Sequence, residues 1–240
     1  MPDTSPYTIY PLGETALTVD WGNRIDEALN IKMLQLFEAL KKNPLPGMIE
    51  AVPAYFSLTV YYDVYQVKNK SPGEHSAFDF MSREIRKFLD EQSISDILPA
   101  RTLRIPVCYD EAYGTDLSVM TAAISIDKEK IIRLHTSATY RVFMIGFLPG
   151  FPYMGMVNER ISMPRKSKPV KVKAGSVGIA GRQTGIYPVD SPGGWQIIGR
   201  TPWKLFDHTK ENPALLKPGD RVQFYSISRD EFEDHQSRVT

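Results

Sequence analysis

Residues 146–200 hold 10 of the 16 glycines and 6 of the 18 prolines in a chain of 240 residues. Glycine in a helix interior costs about 1 kcal/mol and proline breaks the hydrogen-bond ladder, so helices are disfavoured throughout this segment. The short apolar runs between the breakers, Ser176 to Ala180 and Trp195 to Ile198, predict strands joined by tight turns, as in a compact β-barrel.

The first hundred residues read differently, because the hydrophobic period switches between two and 3.6. Leu17, Val19 and Trp21 alternate as a half-buried strand, and Phe56, Leu58, Val60 and Tyr62 as another. Between them Ile25, Leu29, Met33, Leu36, Phe37 and Leu40 share a helical face that ends near Asn43, ahead of Pro44. After the breaker Ser71-Pro72-Gly73, Phe78, Met81, Ile85, Phe88 and Leu89 line a second helix. That order predicts two βαβ-like units on one sheet, a ferredoxin-like α/β domain over 1–98. A linker is expected over 93–101, then a barrel domain over 99–240 that opens with the strand of Leu103, Ile105, Val107 and Tyr109. Two short helices are expected between 115 and 137, the second capped by Asp127. The fold class is α+β.

Composition excludes several functions. With 29 Lys+Arg against 28 Asp+Glu, the net charge of +1 argues against a nucleic-acid binder. No run approaches the ~18 apolar residues of a membrane span, so no membrane partner is expected. One cysteine, Cys108, excludes an internal disulfide and reads as packed core in a cytoplasmic protein. His75, His208 and His235 have no second ligand at metal spacing, and no metal site is expected.

Local charge is less even. Residues 146–200 carry eight basic residues and two acids, a sum of +6, which leaves −5 for the rest of the chain. Clustered cations beside glycine amides favour phosphate or carboxylate, although a solvated basic strand face has the same composition. The run Ala174-Gly175-Ser176-Val177-Gly178-Ile179-Ala180-Gly181-Arg182-Gln183-Thr184-Gly185 is neither a P-loop nor a dinucleotide fingerprint. Its glycines suit close approach of a ligand and barrel turns equally well. Aromatics interleaved with turns at Gly146 to Tyr153 and Ser191 to Trp195 suit a pocket wall or a barrel plug. His135, at the end of the second short helix, suits an interaction with the helix dipole.

The segments GFLPGFPYMGMV, AGSVGIAGRQTGIYP and SPGGWQIIGRTPWKLFD, in this order, resemble the allophanate hydrolase subunit 1 family, which takes in the B-type subunit of 5-oxoprolinase and the kinase A inhibitor of sporulating bacteria. LGETALTVDWG near the start and LLKPGDRVQFYSI near the end are similar to it as well. The resemblance implies a small α/β domain followed by a cyclophilin-like β-barrel. It implies ATP-dependent opening of the lactam 5-oxoproline to L-glutamate together with subunits C and A, the chain being inactive alone. It also implies two alternatives: a regulatory inhibitor of a histidine kinase, and a carboxyltransferase-like part of a biotin-dependent urea system.

Within that resemblance, Arg165, Lys171, Lys173 and Arg182 are expected to hold phosphate or carboxylate, with Ser176 and the amides around Gly175 and Gly181. Gln183, Thr184 and Tyr187 would orient the lactam, Gly193, Gly194 and Trp195 would cover it, and His135 would transfer a proton if the fold brings it to the cleft. Where many members of the family have a Pro-Arg pair followed by Val-Pro, this chain has Lys168-Pro169-Val170-Lys171-Val172-Lys173. Lysine keeps the point charge there and gives up the planar fork of arginine.

Overall fold

The structure, a computed structural model, describes residues 6–70, 73, 75–91 and 100–237. They form two compact units divided after Pro99. Residues 93–99 of the expected linker, and Ser71 and Pro72 of the expected breaker, lie outside the described residues.

The first unit contains β1 (Thr8–Pro11), β2 (Ala16–Asp20), α1 (Glu27–Lys42), β3 (Met48–Pro53), β4 (Ser57–Tyr62), α2 (Val64–Lys70) and α3 (Ala77–Glu91). The sheet order is β1-β2-β4-β3, with antiparallel neighbours throughout. Strands β2 and β3 therefore run parallel, joined by α1 with β4 inserted between them, the split βαβ of a ferredoxin-like layout. Leu17, Val19, Leu58 and Val60 pack against Met33, Leu36 and Leu40 of α1 and Met81 and Ile85 of α3. The side chain of Asp26 accepts the Leu29 amide at 3.1 Å, and Asn43 closes α1 before Pro44. Strands β1 and β3 form the two edges and contain no fully buried residue, so neither shows the alternation by which β2 and β4 are recognised.

The second unit is built on β5 (Thr102–Cys108), β6 (Thr139–Ile145), β7 (Pro152–Gly155), β9 (Ser176–Ala180), β10 (Gln183–Ile186), β12 (Gln196–Arg200) and β13 (Arg221–Ile227). These seven strands close into a barrel in the order β10-β7-β6-β13-β5-β12-β9. Strands β5 and β13 pair in parallel, and the other neighbours are antiparallel. Ile105, Tyr140, Val142, Val177, Ile179, Ile198 and Phe224 fill the interior, each removed from water at a gain of about 1.5–3 kcal/mol for the larger side chains. The short helices α4 (Leu117–Ile124) and α5 (Lys128–Thr136) add Leu117, Met120 and Ile131 to that core. Asp127 caps α5 by accepting the Lys130 amide at 2.7 Å.

Two elements frame the barrel. Strands β8 (Val170–Val172) and β11 (Ser191–Gly193) pair with each other as a two-stranded ribbon. The last helix, α6 (Arg229–Ser237), buries Phe232 against Tyr113, Cys108 and Ile227. Burial raises the Cys108 thiol pKa, as suits a core side chain.

Candidate anion site

Strand β9 separates the two groups of residues on which an anion site was expected. Gly175 precedes it and Gly181 follows it. Six residue steps at about 3.3 Å place the two glycines about 20 Å apart, too far to hold one small ligand together.

At the far end, Gly181 turns the chain at φ +57° and its amide donates to the Met163 carbonyl at 2.6 Å. The Arg182 guanidinium lies 2.7 Å from a Glu159 carboxylate oxygen, and the Arg182 carbonyl accepts the Val157 amide. Gln183 begins β10 opposite Ala180 and Gly155. Arg182 thus ties the β9–β10 turn to the 3-10 turn Glu159–Ile161. At the near end, the Gly175 amide donates to the Tyr187 carbonyl at 2.7 Å. The expectation that the amides of Gly175 and Gly181 floor an anion site is therefore corrected: both complete the barrel's own hydrogen bonding. Gly175, at φ +82°, is required where a Cβ would strike the Thr201 carbonyl.

His135 is also corrected. The ring is fully buried in the barrel core and stacked on Phe224 at 4.7 Å between centroids. Thr184 Oγ1 donates its one proton to the Gly178 carbonyl at 3.0 Å, so it accepts from His135 Nε2–H at 3.0 Å. His135 Nδ1 then accepts from the Tyr109 hydroxyl at 2.8 Å. Burial lowers the histidine pKa to about 3 and raises that of Tyr109, which fixes both as neutral. Thr184 is bound to this relay and equally buried, so neither side chain reaches a ligand.

Tyr187 and Trp195 form an aromatic cluster with Phe151 and Tyr153, in edge-to-face contacts at 4.9 to 5.9 Å. Both are almost fully buried, which makes Trp195 part of a packed wall, with no freedom to cover a ligand as a lid. The Trp195 amide donates to the Tyr187 hydroxyl, and a Cβ on Gly193 would collide with that hydroxyl. Arg165 is exposed and lies 5.9 Å over the Trp195 ring.

Lys171, Lys173 and Ser176 do come together, at the near end of β9. They line a hollow of about 160 Å³ with Lys166, Arg200 and Tyr113. Lys166 Nζ lies 2.6 Å from Asp116 Oδ2, which also accepts the Ile197 amide at 2.6 Å. The Lys166 amide donates to the Gly194 carbonyl at 2.7 Å, which is how Gly194 joins the site. Lys173 Nζ lies 2.9 Å from Asp190, whose other oxygen accepts the Ala174 amide. That amide, with Lys173 second, holds the Asp190 carboxyl below its ordinary pKa. Arg200 Nε donates to the Ala174 carbonyl at 2.7 Å, and its guanidinium lies 5.9 Å over Phe232. Four cations against two carboxylates leave the hollow at +2.

Lys166 and Arg200 belong to the basic segment that the sequence reveals, yet adjacency to glycine does not select them. Asp116 reaches the site only through the fold. Among the described residues no group of three or more His, Cys, Asp or Glu side chains could hold a metal ion, and no helix is long and apolar enough to cross a membrane.

Residues 7–216 match the family described as carboxyltransferase domain, subdomain C and D. The chain is similar to the B-type subunit of 5-oxoprolinase from Bacillus subtilis (strain 168), 40% identical over 235 residues that cover 97% of this chain and 98% of that one. It is similar to the corresponding 5-oxoprolinase subunit of Escherichia coli O157:H7, 37% identical over 90% of this chain and 94% of that one. Among solved structures, TTHA0988 matches 89% of the chain at a TM-score of 0.76 and 36% identity; the match spans 40% of TTHA0988. The chain belongs to the carboxyltransferase C and D domain family.

Proposed function

We propose that the chain is the B-type subunit of an ATP-dependent 5-oxoprolinase, a cytoplasmic enzyme that opens 5-oxoproline to L-glutamate with partner subunits C and A. One observation carries the reading: the match to the B-type subunit of a 5-oxoprolinase runs almost end to end in both chains. The cationic hollow supports it chemically. A lactam carbonyl is a poor electrophile, and transfer of a phosphoryl group to its oxygen creates a leaving group. A first water then adds at the carbon and the C–N bond breaks, which leaves an acyl phosphate and a free amine; a second water hydrolyses the acyl phosphate, and the phosphoryl group departs as inorganic phosphate. Catalysis of such a transfer consists mainly of positioning and charge neutralisation, which Lys166, Lys171, Lys173 and Arg200 are placed to supply.

The size of the hollow bears on how ATP enters this scheme. The hollow, about 160 Å³ and open to solvent on one side, has room for a phosphoryl group or a carboxylate. We assign the nucleoside-binding part of the site to a partner subunit. The test is reconstitution with subunits C and A. ADP release that depends on 5-oxoproline and on all three chains supports the assignment, and its absence overturns it. The family's carboxyltransferase description favours a second reading, transfer of carbon dioxide from a biotin carrier, which consumption of carboxybiotin by the same mixture would reveal.

A further inference from the structure

We propose that the hollow beside the β8–β11 ribbon is a receptor for one phosphoryl dianion, held by Lys171 and Arg200 as direct contacts, with Lys166 and Lys173 as flanking charges. The inference deepens the proposed function at the same site, and it rests on that reading only for the source of the phosphoryl group.

Three observations carry it. The first is charge. The site's four cations face Asp116 and Asp190, and the surplus of +2 matches a dianion, whereas a single carboxylate would leave one positive charge uncompensated. The second is rigidity. Lys166 is held to Asp116, and Arg200 to the Ala174 carbonyl with Phe232 under its guanidinium, while Lys173 adds its charge beside the exposed Asp190. A ligand entering such a site does not have to order the two long side chains of Lys166 and Arg200. The third is Lys171, whose charge is felt at Asp190 while it makes no hydrogen bond or ion pair among the described residues. It lines the hollow as an ammonium with all three donors available. The Arg200 Nε is engaged by Ala174, which leaves the two terminal nitrogens of the fork for phosphate oxygens.

The experiment is titration of the isolated full-length chain with inorganic phosphate, followed by calorimetry and by phosphorus NMR line broadening. Saturable binding to one site is expected, weakened by salt, strengthened as pH rises through the second ionisation of phosphate, displaced by sulfate and indifferent to acetate. Lys171→Gln and Arg200→Met should each weaken it about tenfold, the loss expected of a hydrogen bond to a charged group. Lys87→Gln, in the first unit, should leave it unchanged. Lys171 is exposed on a two-stranded ribbon, so its variant tests the site even if Arg200→Met fails to fold. A second titration with ATP distinguishes the sources: displacement of phosphate by ATP points to a terminal phosphoryl group, and its absence to product phosphate. No saturable binding, equal binding of acetate, or phosphate affinity unaltered by Lys171→Gln would overturn the proposal. Failure of the three-subunit enzyme assay alongside intact phosphate binding would overturn the functional reading and leave the receptor standing.

Discussion

Asp116 Oδ2 accepts from both the Lys166 ammonium and the Ile197 amide, each at 2.6 Å, with the Asp116 and Lys166 side chains 14% and 19% exposed. One oxygen thereby joins the start of α4, strand β12 and the wall of the hollow. Asp116→Asn removes the negative charge from this junction and leaves the ammonium uncompensated. Stability should fall by about 2 kcal/mol, a discount from the cost of breaking a fully buried pair because both groups retain some water. Phosphate affinity should move the other way and rise severalfold, since the hollow goes from +2 to +3. Urea unfolding and the phosphate titration, run on one preparation, check the opposed signs.

His135 makes the barrel sensitive to acid. Its folded pKa of about 3 lies below the ordinary value near 6.5, so between these limits the unfolded chain binds a proton that the folded one excludes. The neutral ring's contribution is complete above pH 6.5 and is lost as pH falls toward 3. Between pH 7 and pH 5 this amounts to about 2 kcal/mol. His135→Gln, less stable at pH 7 through the loss of its relay, should show a flatter decline over the same window. An equally steep decline in the variant would show that other groups cause it.

Arg182 and Glu159 form an exposed pair, with side chains 46% and 74% accessible, worth at most about 1 kcal/mol. Arg182→Ala should therefore leave phosphate affinity unaltered and melting nearly so, whereas Lys173→Ala should weaken the binding. Loss of binding in the Arg182 variant would restore the far end of β9 to the site.

Adjacent glycines make a packing test. Gly193→Ala places a methyl group into the Tyr187 hydroxyl and should destabilise by about 1–3 kcal/mol. At Gly194 the nearest heavy atom to such a methyl group is the Lys166 carbonyl oxygen at 3.7 Å, so Gly194→Ala should be nearly neutral. Thermal melts of the two variants settle the contrast.

The sequence shows the elements that bury one face and conceals those that do not. Alternation reveals β2 and β4, helical spacing reveals α1 and α3, and the density of glycine and proline predicts the barrel. The edge strands β1 and β3 contain no fully buried residue and carry no such signal. The basic segment announces an anion site, but the glycines beside it mislead, because a turn and a ligand cradle place the same demand on a backbone. The separation of Gly175 from Gly181 follows from the expected strand Ser176 to Ala180, which sends the two glycines to opposite ends. Lys173 and Arg182 stand at those ends and cannot act together. Asp116 meets Ile197 across 81 positions of sequence, and Phe232 supports Arg200 from the last helix; no local pattern predicts either. His135 ends α5 as the spacing predicts, and only the packing of Tyr109, Thr184 and Phe224 around it shows that it belongs to the core.

The most direct measurement is ADP release driven by 5-oxoproline in a mixture of this chain with subunits C and A, compared among wild type, Lys171→Gln and a mixture lacking the chain. Activity should require the chain and fall about tenfold or more in the variant, the effect of withdrawing one charged hydrogen bond from the phosphoryl group. Full activity without the chain, or with Lys171→Gln, would contradict the role given to the hollow.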